Sequence, residues 1–176
     1  HAHGLVCVAM TGERLDKLGL PLMVADGWDD TEHPQFTVSV DARGVSAADS
    51  AAGRAAAVKA LIGEETQPGD LRRPGHVFPT RVVEGGVLKR AGHTEAAVDL
   101  ARMAGLKPAG VTSQIIGRDG SSAGTEELSE FGWAHEIRVI SLADIIEYRR
   151  HNEELITRQV EAFLPTRYGE FRVVVF

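Results

Sequence analysis

Apolar positions along the chain fall into short runs that alternate between a strand-like and a helix-like period. Residues 4–10 ("GLVCVAM") form a continuous apolar run of β-formers and predict a buried strand. Residues 12–18 predict a helix. Residues 36–41 ("FTVSVD") alternate apolar and polar and predict a second strand. An alanine-rich stretch, 46–62, predicts a helix weakened at Gly53. Residues 63–75 carry Gly and Pro without periodicity and predict a loop. Short extended pieces follow at 76–83 and 86–88. In 94–104 the positions Ala96, Ala97, Leu100, Ala101 and Ala104 recur at helical spacing, and Gly105 suits the position after a helix end. A strand at 109–116, a Gly/Ser loop at 117–124 and a helix at 126–136 come next. A strand at 138–141 leads to a helix that Ser141 caps with Asp144 and that runs to about Val160. Residues 172–176 predict a closing strand, and 26–34 ("DGWDDTEHP") read as a polar loop.

Helices and strands alternate throughout, so the expected class is α/β, or intermixed α+β, with a sheet largely covered by helices. No internal repeat or low-complexity tract is present. One boundary is expected, inside "LPTRYGEFRVVVF". It leaves residues 1–164 as one domain and 165–176 as a linker or the start of a following domain. The chain opens on His1 rather than Met, almost inside a strand-like run, so the biological N-terminus is expected upstream.

Composition narrows the function classes. The 176 residues suffice for one full core, and 43% hydrophobic with 25% charged residues is the balance of a soluble globular protein. A net charge of −6 speaks against a nucleic-acid surface or an anionic membrane surface. The single cysteine, Cys7, allows no internal disulfide and fits a reducing, cytoplasmic setting. Its place in an apolar run makes it a small core residue rather than a nucleophile. No apolar run reaches membrane-spanning length, and no signal peptide is visible.

P-loop, dinucleotide and nucleophile-elbow motifs are absent. Two polar clusters remain: "RRPGHVFPTR" (72–81) and "KRAGHTEA" (89–96). Each joins arginine to Gly-His. Glycine admits close backbone approach, histidine offers a proton-transfer or metal-binding nitrogen, and arginine grips anions bidentately. The second cluster opens a helix, where unpaired N–H groups and the macrodipole favour an anion. Capping alone accounts for Thr94 as N-cap and Glu95 in the first turn. It leaves Arg90 and His93 unexplained.

"RPGHVFPTR", "GGVLKRAGHTEAAVDLARMAGLKPAGV" and "SLADIIEYRRHNEE", in that order, resemble the 3,4-dihydroxy-2-butanone 4-phosphate synthase family, over nearly the whole chain. The resemblance implies an α/β fold with a mixed central sheet, and a homodimer with sites near its interface. It implies conversion of ribulose 5-phosphate to a four-carbon phosphate plus formate, in riboflavin biosynthesis, with Mg²⁺ or Mn²⁺. It implies that His93 ligates the metal, Arg90 and Thr94 hold the substrate, and His76 is a catalytic site residue. The tail "PTRYGEFR" is similar to the junction after which a GTP cyclohydrolase II domain follows in bifunctional proteins.

The chain also departs from the family pattern. The family's acidic N-terminal loop would lie before His1. Gln114 stands where the family has a catalytic glutamate, and it cannot take up and return a proton. The phosphate loop fits in two registers: matched on "SAAD" it loses the family's Arg and the preceding Thr-Gly, and matched by length it keeps Ser50 and Arg54 as substrate contacts but has Ala47, Gly53, Ala56 and Ala57 at its other polar positions. These departures keep two alternatives open: a diverged enzyme with another substrate, and a non-catalytic domain serving dimerisation.

Overall fold

The computed structural model describes residues 5–24, 34–155 and 159–175. In chain order its elements are β1 Val6–Met10, α1 Gly12–Lys17, β2 Gln35–Phe36, β3 Val40–Ala42, α2 Ala51–Ile62, β4 Leu71–Arg81, α3 His93–Met103, β5 Ala109–Ser113, α4 Thr125–Ala134, α5 Leu142–Asn152, β6 Val160–Thr166 and β7 Gly169–Val175. The main sheet is mixed, in the order β2-β4-β1-β5, with β3 also paired to β4. β1 is parallel to β4, with Cys7 opposite Phe78, and antiparallel to β5, with Val6 opposite Ser113.

β1 reads as a continuous apolar run because it is buried on both faces. Val8 and Met10 join Leu15, Leu18, Val40, Ala57, Leu61 and Val77 in the main core, under α1 and α2. Complete burial of Leu15, Leu18 or Leu61 contributes about 1.5–3 kcal/mol each. α3 packs against β1 and β5. A Cβ at Gly110 would stand 2.8 Å from the Cβ of Ala97, so glycine is what lets helix and strand approach. Arg14 ties α1 to the C-terminus of α2, donating from Nε to Leu61 O at 2.9 Å and from Nη2 to Gly63 O. These carbonyls have no partner inside the helix.

Several expectations are corrected. Residues 63–75 are not all loop, because β4 starts at Leu71. The Pro and Gly that read as breakers lie in a bulge: Asp41 pairs with Arg72 and Val40 with Val77, and residues 73–76 bow out between. Gly86–Leu88 is a 3₁₀ turn rather than an extended piece, since Gly85 and Gly86 take φ of +95° and +64° and reverse the chain. Residues 36–41 divide between β2 and β3, with Thr37 bridged to Leu22. α2 begins at Ala51 rather than 46, because Ser50 accepts from Gly53 N at 3.0 Å and caps the helix there. β5 stops at Ser113, and Ile116 makes only an isolated bridge to Ser122.

Residues 138–141 form no strand, although they hold β-formers: propensity needs a partner ladder to become a strand. α5 opens on the expected Ser141–Asp144 capping box but ends at Asn152 instead of near Val160. Val160 is already in β6, opposite Val175 of β7. This hairpin draws on both sides of the boundary expected at 164/165. Apart from Pro34, the loop expected over 26–34 lies outside the described residues. No helix among the described residues is long and apolar enough to cross a membrane.

Candidate functional site

The first polar cluster is built by the bulge in β4. Gly75 lies against β3 so tightly that a Cβ would fall 2.0 Å from Val40 C and 2.3 Å from Asp41 N. Its own N–H donates to Ser39 Oγ at 3.1 Å. This contact brings the next residue, His76, onto the Asp41 carboxylate twice. The backbone N–H donates to Oδ1 at 2.9 Å, and ring Nδ1 lies 3.2 and 3.1 Å from Oδ1 and Oδ2. Arg72 adds a third contact, Nη2 to Oδ2 at 2.7 Å. The Asp41 side chain is fully buried, whereas 49% of the His76 side chain is exposed. Burial pushes the Asp41 carboxyl up, but Arg72 and both His76 contacts together outweigh it and hold it below its ordinary value.

The second cluster surrounds the start of α3. The N-cap is Gly92, not Thr94. Gly92 O accepts from Ala96 N at 3.0 Å, and a side chain at Gly92 would collide with Glu95 Oε2, 2.4 Å from its Cβ position. The Glu95 carboxylate does not cap the helix. It is fully buried, accepts from Val83 N at 3.0 Å and pairs with Arg90 Nε at 3.0 Å. One turn on, Asp99 accepts from Val87 N and from Arg149 Nη1, both at 2.8 Å. Arg149 Nη1 also donates to Gly85 O at 2.9 Å. The turn carrying Arg90 is thus held against α3 by two buried carboxylates and against α5 by Arg149. His93 is exposed and Thr94 half-buried in the first helical turn.

These clusters occupy opposite ends of the sheet. From His76 to Arg81, β4 rises about 17 Å, and the Val83 contact of Glu95 lies beyond Arg81. By the β1–β4 register His76 lies at the Leu5 end of β1. Gln114 follows β5 at that same end, where Ser113 Oγ donates to Leu5 O at 3.1 Å, and its Nε2 donates to Ser122 Oγ. Arg90, His93 and Thr94 stand together at the Met10 end, where Val82 N donates to Met10 O at 3.0 Å. Ser50 spends its hydroxyl on the α2 cap and on Ala47 O, and Arg54 folds back onto Asp49 O.

Sequence reasoning missed Asp41 and the carboxylate pairing of Glu95 and Asp99. A signal for Asp41 exists: Thr37, Ser39 and Asp41 share one parity, and all three are buried. A cavity of about 290 Å³ opens at the Met10 end, lined among others by Arg14, Glu64 and Lys107. It contains none of the sequence-predicted residues. Arg14 is engaged by α2 carbonyls, and Lys107 by Ile62 O and Glu64. Burial pushes the Cys7 thiol up against the opposing hydrogen bond to Thr80, in keeping with a core role. Among the described residues no three His, Cys, Asp or Glu side chains gather to hold a metal.

The sequence model of the 3,4-dihydroxy-2-butanone 4-phosphate synthase family matches residues 1–148. The riboflavin biosynthesis protein RibBA of Synechocystis sp. is 48% identical over 178 residues, which cover 99% of this chain and 32% of that protein. The crystal structure of RibBX, a two-domain 3,4-dihydroxy-2-butanone 4-phosphate synthase from A. baumannii, superposes with a TM-score of 0.86 at 40% identity, over 99% of this chain and 51% of that one. A 3,4-dihydroxy-2-butanone 4-phosphate synthase solved with two magnesium ions gives a TM-score of 0.74 at 38% identity, over 86% and 76% of the two chains. The chain spans less than half the length of the curated relatives it matches.

Proposed function

The chain belongs to the 3,4-dihydroxy-2-butanone 4-phosphate synthase family, and from that membership we propose that it acts on ribulose 5-phosphate, releasing formate and a four-carbon phosphate for riboflavin biosynthesis. The observation that carries this reading is the start of α3. Arg90 is held on buried Glu95 beside the first-turn residues His93 and Thr94. Arg90 and Thr94 there receive the anionic end of the substrate, with the helix dipole favouring its charge. His76 serves proton transfer. Gln114 hydrogen-bonds but moves no proton.

Two features shape the assembly. His76 and the Arg81 end of β4, beyond which the α3 start lies, are about 17 Å apart along one strand. A site using both is therefore composed of two copies of the chain, His76 from one facing α3 of the other, which is the homodimer of this reading. The described residues alone do not make a metal site, because no three His, Cys, Asp or Glu side chains gather among them. A divalent cation, magnesium or manganese, would be held by His93 with oxygen ligands from outside the described residues. A cyclohydrolase-like domain following the β6–β7 hairpin, and a cytoplasmic location, complete the reading.

The test is formate release from ribulose 5-phosphate by the full-length protein with Mg²⁺. Formate in step with substrate loss is expected. A folded, dimeric protein that consumes no ribulose 5-phosphate and releases no formate would overturn the assignment.

A further inference from the structure

We propose that Asp41 is the positioning residue of His76: it holds the imidazole as the Nδ1–H tautomer and turns Nε2 outward as the working nitrogen. The inference deepens the assignment of His76 to the site and rests on that reading.

The geometry carries it. The Asp41 carboxylate is fully buried, and its accepting positions are taken by His76 N, His76 Nδ1 and Arg72 Nη2. A carboxylate only accepts, so the ring nitrogen facing it must be the one that bears the proton. Among the described residues Nε2 has no hydrogen-bond partner, and half the side chain is exposed. The neutral ring then presents an acceptor lone pair outward, as a group that removes a proton from a bound sugar must. The second contact, backbone N–H to Oδ1, fixes the Cα of His76 against the same carboxylate, so ring and backbone cannot move independently. Arg72 offsets the negative charge at 2.7 Å, and what Asp41 contributes to the ring is mainly direction. The bulge at 73–76 and the close approach of Gly75 to Val40 make this double contact possible.

Long-range ¹H–¹⁵N correlation spectra of the full-length protein, labelled on histidine, read the tautomer directly. His76 is expected to show a protonated Nδ1 and an unprotonated Nε2 in its neutral form. In Asp41→Asn the amide must keep its oxygen on His76 N–H and present its NH₂ towards the ring, so the Nε2–H tautomer should grow. Formate-release kcat should fall roughly 10- to 100-fold, with KM for ribulose 5-phosphate within about twofold. An Nε2–H tautomer in the unaltered protein overturns the inference, as does an unchanged tautomer in folded Asp41→Asn or a KM effect without a kcat effect. If Asp41→Asn does not fold, the spectrum of the unaltered protein decides alone. A protein that releases no formate refutes the proposed reaction but leaves the tautomer result to judge Asp41.

Discussion

Glu95 and Asp99 lie one turn apart on the buried side of α3, and each closes its carboxylate on a backbone N–H of the preceding segment, Val83 and Val87. The match of four residues on the helix with four on the segment pins the Arg90 turn at two points. Arg149 then reaches Asp99 with Nη1 and exposed Glu153 with Nε and Nη2. The two partners of this one arginine should differ in worth. Asp99→Ala strips Val87 N–H of its acceptor and leaves the part-buried Arg149 guanidinium with Gly85 O and Glu153 alone, and should lower the unfolding free energy by about 1–3 kcal/mol. Glu153→Ala should cost less than about 1 kcal/mol. Urea unfolding checks both, and equal losses would contradict the ranking by burial.

Two glycines separate need from habit. Gly75→Ala places a Cβ 2.0 Å from Val40 C and should cost about 3 kcal/mol or more, by forcing β3 and β4 apart. Gly69→Ala meets nothing within 4 Å and should stay within about 0.5 kcal/mol of the parent. Thermal melts of the two variants suffice, and a tolerated Gly75→Ala would show that the bulge is not locked to β3.

The depressed Asp41 carboxyl sets a pH dependence. Its folded value lies below its unfolded one, so its contribution is complete above the ordinary carboxylate range and is lost as pH falls through the folded value. Stability followed from pH 6 down into the acid range should therefore decline less steeply in Asp41→Asn than in the parent, from a lower starting point. Parallel curves would mean that Asp41 is not ionised and paired in the folded protein.

Two substitutions probe the departures from the family pattern. Gln114→Glu, in full-length protein, should raise formate release by a measurable part of the ~10²–10⁴-fold that positioned acid/base groups supply. Gln114 is exposed and bonded only to Ser122 among the described residues, so the change should leave stability nearly unaltered. Ala57→Thr should not repair substrate binding. Ala57 is fully buried in the main core, and a larger, hydroxyl-bearing side chain there should cost about 1–3 kcal/mol in a melt.

How much of this was legible beforehand depended on the range of the forces involved. The apolar run of β1, the spacing of Ala96, Ala97, Leu100 and Ala101, and the Ser141–Asp144 cap are local patterns. Each produced the expected element to within a few residues, because strand burial, helix amphipathicity and capping act over one or two turns of chain. The motifs "RPGH" and "GHTEA" likewise marked both clusters.

Longer-range partners were not legible. Residues 138–141 have strand propensity and no ladder, whereas Leu71 and Arg72 sit among breakers and belong to a strand because β3 pairs with them. Glu95 looked like a first-turn acid favouring the dipole, and only the approach of Val83 and Arg90 made it a buried clamp.

By itself the sequence determined the mixed helix-and-strand class, most of the elements in their order and the two clusters that join arginine to Gly-His, since period and residue type are written along the chain. The tertiary structure alone decided that Asp41 meets His76 across two strands, and that His76 and His93 stand at opposite ends of one sheet. Register and a four-residue bulge set those relations, and a carboxylate thirty-five residues away in sequence leaves no local trace of the imidazole it holds.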